Sequence, residues 1–165
     1  MFLFSKKTFA KRAVFAGLIL FLSAGLMFVS CSTSTLGEDP EKDYTENSIP
    51  ADLIGTWQST FFEDIEISDS EFSYQFFGEG YRGDIKNHRG NNSGAGYITI
   101  QFTGNDWDDT TIGTYYMIHY QNLTPSFVEI STAFPDLGLT TQSEAEATYT
   151  VTNGNFASHS ECDKQ

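Results

Sequence analysis

Positive charge is scarce in this chain, and nearly half of it stands at the start. Nine Lys and Arg oppose twenty-two Asp and Glu. Four of the nine are Lys6, Lys7, Lys11 and Arg12, so from residue 31 onward five basic residues face all twenty-two acids, a formal charge of −17. A field of that sign repels phosphate backbones and anionic lipid surfaces, which excludes nucleic acid as a partner. Cysteine is nearly absent too. Cys31 and Cys162 allow at most one bridge, so this is no disulfide scaffold. The three histidines, His88, His119 and His159, stand far apart in no zinc-ligand spacing. There is no G-x-S-x-G elbow, since Ser93 falls at the wrong place in Gly90-Asn91-Asn92-Ser93-Gly94. Gly78-Glu79-Gly80-Tyr81-Arg82-Gly83 has the spacing of a dinucleotide loop. However, Asp84 to His88 reads as a strand, not as the helix whose N-terminus would take the pyrophosphate, so a Gly-rich hairpin is expected. Asp106-Trp107-Asp108-Asp109 gathers three carboxylates, but an EF-hand frame begun at Asp106 would place Thr111 where Gly and Met117 where Glu are needed. These absences predict a protein that is not an enzyme and uses no metal and no cofactor.

What is present begins with a leader. The basic start runs into an uncharged apolar stretch, Ala13 to Phe28, followed by Val29-Ser30-Cys31. From Ala13 to Ser30 it is eighteen residues, at the short end of what spans a membrane, and Gly17 and Gly25 weaken it as a permanent helix. With a small residue directly before a cysteine, the layout resembles a bacterial lipoprotein signal. That resemblance implies cleavage after residue 30, acylation of Cys31, and a cell-envelope location held to the membrane through acyl chains. The departure is Phe28, where such signals usually carry a small aliphatic residue. Several chains together hold firmly, because each buried methylene contributes about 0.8 kcal/mol. Ser32, where an Asp would favour the inner membrane, leans the expectation toward the outer membrane. A Cys31–Cys162 disulfide is the alternative, and it would exclude acylation.

Residues 31–51 read as a disordered acidic tether, long enough to hold a domain about 25 Å from the membrane. Residues 52–160 have the size of one domain, and 161–165 read as a polar tail carrying Cys162. Within the domain, long helical periodicity is missing and alternation dominates. Strands are predicted over Leu53 to Phe62, around Ile65 and Ile67, and over Glu71 to Phe77, Tyr81 to Asn87, Tyr97 to Thr103, Thr111 to Asn122, Phe127 to Phe134 and Ala147 to Val151. Turn chemistry separates them at Asp69-Ser70, Gly78-Glu79-Gly80, Gly104-Asn105-Asp106 and Thr152-Asn153-Gly154. Short sequential strands predict an all-β fold: a small antiparallel up-and-down barrel of about eight strands, with a β-sandwich as the alternative. One short capped helix is expected at 141–147.

Gly55-Thr56-Trp57 at the head of the first strand resembles the Gly-x-Trp that opens lipocalins and related calycin barrels. The likeness covers one tripeptide and the strand count. It implies a closed eight-stranded barrel with the Trp at its closed end and room for one small ligand. The domain is shorter than a typical lipocalin, so its strands and cavity should be small. Alternation nominates Trp57, Phe72, Tyr74, Phe76, Tyr115 and Met117 as interior side chains that would contact a small hydrophobic ligand. Arg82, Lys86 and Arg89 are a candidate anion patch, because alternate strand positions share a face. The expected function is binding, either of a small hydrophobic ligand at the open end or, with a fully packed barrel, of an envelope or host protein.

Overall fold

The computed structural model describes residues 44–134 and 138–165. The predicted Cys31 anchor and most of the tether lie outside these residues. Among these described residues nine strands and one α-helix are formed: β1 Thr45–Glu46, β2 Gly55–Ser59, β3 Glu63–Ile67, β4 Glu71–Phe76, β5 Glu79–Gly90, β6 Gly96–Asn105, β7 Tyr115–Gln121, β8 Phe127–Thr132, α1 Gln142–Thr148 and β9 Ser160–Lys164. From β2 to β9 each strand pairs antiparallel with the next in sequence, and β9 pairs back onto β2. The result is a closed, eight-stranded up-and-down barrel whose ladder is complete within the folded part itself. Closure removes the sheet edges that would otherwise invite pairing with other chains. β1 adds to the end of β5, with Thr45 opposite Gly90 and Glu46 opposite Arg89.

Three sequence expectations are corrected. Thr45–Glu46 is paired strand, so the tether does not run unstructured to residue 51. Ala147 to Val151 is not a strand, because the helix begun at Thr141 continues to Thr148 and Tyr149 closes it by donating to the Ala145 carbonyl. The eighth barrel strand is Ser160–Lys164 instead. The supposed tail seals the barrel, pairing Cys162 with Ser59 on one side and Val128 on the other.

Alternation works as expected in β2 and β3, where Trp57, Ser59, Ile65 and Ile67 are buried and their neighbours wet. Ladder partners share a face, so Trp57, Ile65, Tyr74 and Tyr81 all point into the barrel. Ile98, Ile100, Phe102, Tyr116, Ile118, Tyr120 and Ile130 complete the interior. β6 and β7 are buried on both faces. Their outer face is covered by α1, which sets Glu146 against Thr99 and Asn87, and by Phe156, whose ring lies against Tyr97 and His119. The helix starts with a capping box. The Thr141 hydroxyl accepts from the Glu144 N–H at 3.2 Å and donates to the Glu144 carboxylate at 3.0 Å.

The two ends of the barrel differ. The end holding the β3–β4, β5–β6 and β7–β8 turns is filled. There the Tyr120 ring stacks on His88, with its hydroxyl 2.9 Å from His88 Nε2. Gly96 makes room, since a Cβ there would lie 2.6 Å from the Tyr120 hydroxyl. Trp57 is fully buried, with its indole N–H donated to the Leu53 carbonyl at 2.8 Å. The opposite end, here called the mouth, carries the β2–β3, β4–β5 and β6–β7 connections and the long return from β8 to β9.

Candidate functional site

The mouth is hollow. A cavity of about 250 Å³ opens between the β3–β4 wall and the β8–β9 wall. Its lining includes Glu63, Ile65, Tyr74, Ile130, Thr132, Ala133, Phe134, Ser158 and Ser160. Glu63 comes to face inward by ladder parity. It precedes Ile65 by two residues and pairs with Phe76, so it shares the inner face with Ile65 and Tyr74. The β2–β3 turn is held by Ser59, whose hydroxyl accepts from the N–H groups of Phe61 and Glu63 at 3.1 Å each. Tyr74 donates its hydroxyl to Glu63 Oε1 at 2.8 Å. The other oxygen, Oε2, is buried and accepts no hydrogen bond. An unsatisfied buried acceptor costs on the order of 1–3 kcal/mol, so it is the most conspicuous polar atom of the mouth.

Beneath lies Cys162, fully buried. Burial first, then the nearby Glu63 carboxylate, pushes its thiol up to about 12. Its Sγ donates to the Ser160 carbonyl at 3.3 Å. Such a thiol stays protonated and unreactive, which corrects the expectation of a thiol set in a polar tail. No histidine is among the residues lining the cavity, so Ser158 and Ser160 have no imidazole base beside them there.

Around the opening stand exposed apolar side chains from every connection at this end: Phe61 and Phe62, Phe76 and Phe77, Trp107 and Ile112, and Phe134. Two of them adopt backbone that L-residues avoid, Phe62 at φ 66° and Phe77 at φ 52°. Trp107 reaches inward, edge-on to Tyr74 at 6.0 Å and to Tyr81 at 6.1 Å.

The six nominated interior residues separate into three groups. Trp57 and Phe72 are interior but lie in the packed part of the core. Tyr74 lines the cavity, while Phe76 stands half-exposed at the rim. Tyr115 and Met117 are corrected: they belong to the outer face. Met117 pairs with Thr99, whose hydroxyl donates to Glu146 of α1 at 3.1 Å, and Tyr115 bridges to Leu139. Sequence parity could not choose between two buried faces of β7.

The anion patch does not assemble. A register shift between Ile85 and Asn87 sets Arg89 on the same outer face as Arg82 and Asp84, yet each cation is engaged separately. Lys86 turns to Asp84 at 2.9 Å, Arg89 lies over the Tyr97 ring at 5.3 Å, and Arg82 sits in a groove with Glu66 and Glu71. Gly78 to Gly83 forms the expected hairpin into β5. Asp106 accepts from the N–H of Gly80 at the head of β5 at 3.0 Å, and Asp108 accepts from the N–H of Thr110 within its own loop at 3.0 Å.

A second cluster, on the outer face, was missed. His119 Nδ1 and His159 Nε2 are 2.7 Å apart, and His119 Nε2 is 3.4 Å from the Tyr44 hydroxyl. Burial, with the His159 charge adding to it, lowers His119 to about 3. Burial also lowers His159, against the pull of Glu129. Forty residues separate the two histidines, so only the fold brings them together. Among the described residues no group of three or more ligand-type side chains could hold a metal ion.

Set against known proteins, the chain matches no family model, no curated protein and no solved structure.

Proposed function

We propose that this protein is a lipid-anchored, non-enzymatic binding module of the bacterial cell envelope, of lipocalin-like type, whose mouth takes a small, mainly apolar molecule. The observation that carries this reading is the 250 Å³ cavity at the one end of the barrel where exposed aromatic side chains gather. The cavity joins the apolar Ile65, Ile130 and Ala133 to the polar groups of Glu63, Tyr74, Thr132, Ser158 and Ser160, and it is small for a ligand site. Placement of the leader, with Cys31 after Ser30, supports the anchor and the envelope location. Gly55-Thr56-Trp57 at the head of β2, with Trp57 in the filled part of the core, supports the lipocalin likeness.

The test is a fluorescence titration of the chain from residue 32 onward with N-phenyl-1-naphthylamine, a neutral apolar probe. Saturable quenching of Trp107, absent in Trp107→Phe while Trp57 remains, is the expected result. A second reading, an envelope or host protein docked on the apolar rim, is favoured if the probe does not saturate. Palmitate labelling that depends on Cys31 tests the anchor.

A further inference from the structure

The mouth holds a carboxylate for which the described residues supply no counter-charge. Glu63 Oε1 is occupied by the Tyr74 hydroxyl at 2.8 Å, while Oε2 is buried and accepts nothing. The basic residues among those described are placed elsewhere. Lys86 is on Asp84, Arg89 is over Tyr97, Arg82 is in the groove of Glu66 and Glu71, and Lys164 donates to the Asp52 carbonyl at 2.9 Å with its ammonium over Trp57. The rest of the lining mixes the hydroxyls of Thr132, Ser158 and Ser160 with apolar surface. Ile65, Ile130 and Ala133 give apolar wall, and Tyr74 presents a ring that Trp107 backs edge-on. A cation close to such a ring face is attracted to it. A volume of 250 Å³ is room for roughly eight water-sized groups.

We infer that the mouth selects a small organic cation, an alkyl- or aralkyl-ammonium whose N–H donates to Glu63 Oε2 while its apolar body lies against Ile65, Tyr74 and Ile130. This rests on the reading of the mouth as a ligand site and adds to it a charge preference. A carboxylate ligand of the same length meets the Glu63 charge and is rejected. A neutral alcohol can donate to Oε2 but brings no charge, so it binds between the two.

Calorimetric titration with hexylammonium, 1-hexanol and hexanoate at pH 7 and 0.15 M salt tests this on the chain from residue 32 onward. Hexylammonium should bind at least tenfold tighter than hexanol, with hexanoate weakest. Glu63→Gln keeps an acceptor for Tyr74 and removes the charge. It should lower hexylammonium affinity at least tenfold and abolish its advantage over hexanol, while a cooperative thermal transition followed by circular dichroism shows that the variant is folded. Equal affinity for hexylammonium and hexanol, or a preference for hexylammonium untouched by Glu63→Gln, overturns the charge preference and leaves the mouth as an apolar site. Failure of all three probes overturns the mouth reading as well.

Discussion

Lowering the pH from 7.5 to 5 should destabilise the barrel through one imidazole, His119. Its ring is buried against Tyr97 and Phe156, with Nδ1 2.7 Å from His159 Nε2 and Nε2 3.4 Å from the Tyr44 hydroxyl. In the unfolded chain it titrates near 6.5, and in the fold near 3. A depressed folded value means the unfolded state takes up the proton first. The stability is therefore intact above 6.5 and is lost as pH falls toward the folded value. Integrating between pH 7.5 and 5 gives a loss of about 2 kcal/mol from this residue, a sizeable part of the ~5–15 kcal/mol a domain has. With a urea m-value of ~2 kcal/mol/M, the midpoint should fall by about 1 M. His88 and His159 are lowered by burial and add to the slope in the same direction, so the measurement is a comparison with His119→Leu. Urea titrations at both pH values should show the variant losing about 2 kcal/mol less than the wild type. Equal losses would refute the assignment of this slope to His119.

Replacing Phe62 or Phe77 by Gly should stabilise the barrel by about 0.5 kcal/mol. The left-handed strain released is ~1–2 kcal/mol, and glycine's extra freedom when unfolded takes back ~0.5–1. The same variants should bind N-phenyl-1-naphthylamine more weakly, and urea midpoints below wild type would refute the strain. Cys162 should resist a thiol reagent such as DTNB at pH 8 in the native state and react only when urea opens β9. Rapid native labelling would mean that β9 does not seal the barrel. Thr141→Ala should cost about 1 kcal/mol by removing the helix cap, read as a lower thermal midpoint. An unchanged midpoint would mean that α1 does not melt with the barrel.

How much of this was legible depended on whether a strand has one wet face. β2 and β3 do, so Trp57, Ile65 and Ile67 were readable as interior directly from alternation. Glu63 was readable by the same rule, two places before Ile65, but a charged residue at the end of a strand draws no attention until the cavity beside it is seen. β7 reads as nearly continuous apolar because both its faces are covered, and alternation then cannot choose a face. Tyr115 and Met117 were misplaced for that reason. β9 failed in the opposite way. Its inward residues are Ser160, Cys162 and Lys164, so a strand that closes the whole barrel has no apolar pattern at all. The histidine pair and the mouth cavity are properties of closure, and closure is not written in any local stretch.

The asymmetry between the two ends is the strongest physical reason to place function at the mouth. At the filled end the ring-borne polar groups are matched: Tyr120 meets His88, His88 Nδ1 meets the Asn47 carbonyl at 3.2 Å, and the Trp57 indole meets Leu53, while Arg89 Nε and Nη2 stay buried there without a hydrogen bond. At the mouth the same chain leaves a buried carboxylate oxygen without a donor, two phenylalanines in left-handed backbone, and aromatic rings in water. Each of these lowers stability by itself. An Asn at Glu63, a Gly at Phe62 and polar turns around them would remove these costs. Strain and unmet hydrogen bonds that gather in one place, on connections far apart in sequence, are what binding sites retain. A ligand that brings a donor and an apolar body removes both penalties at once, so binding there should also raise the unfolding midpoint.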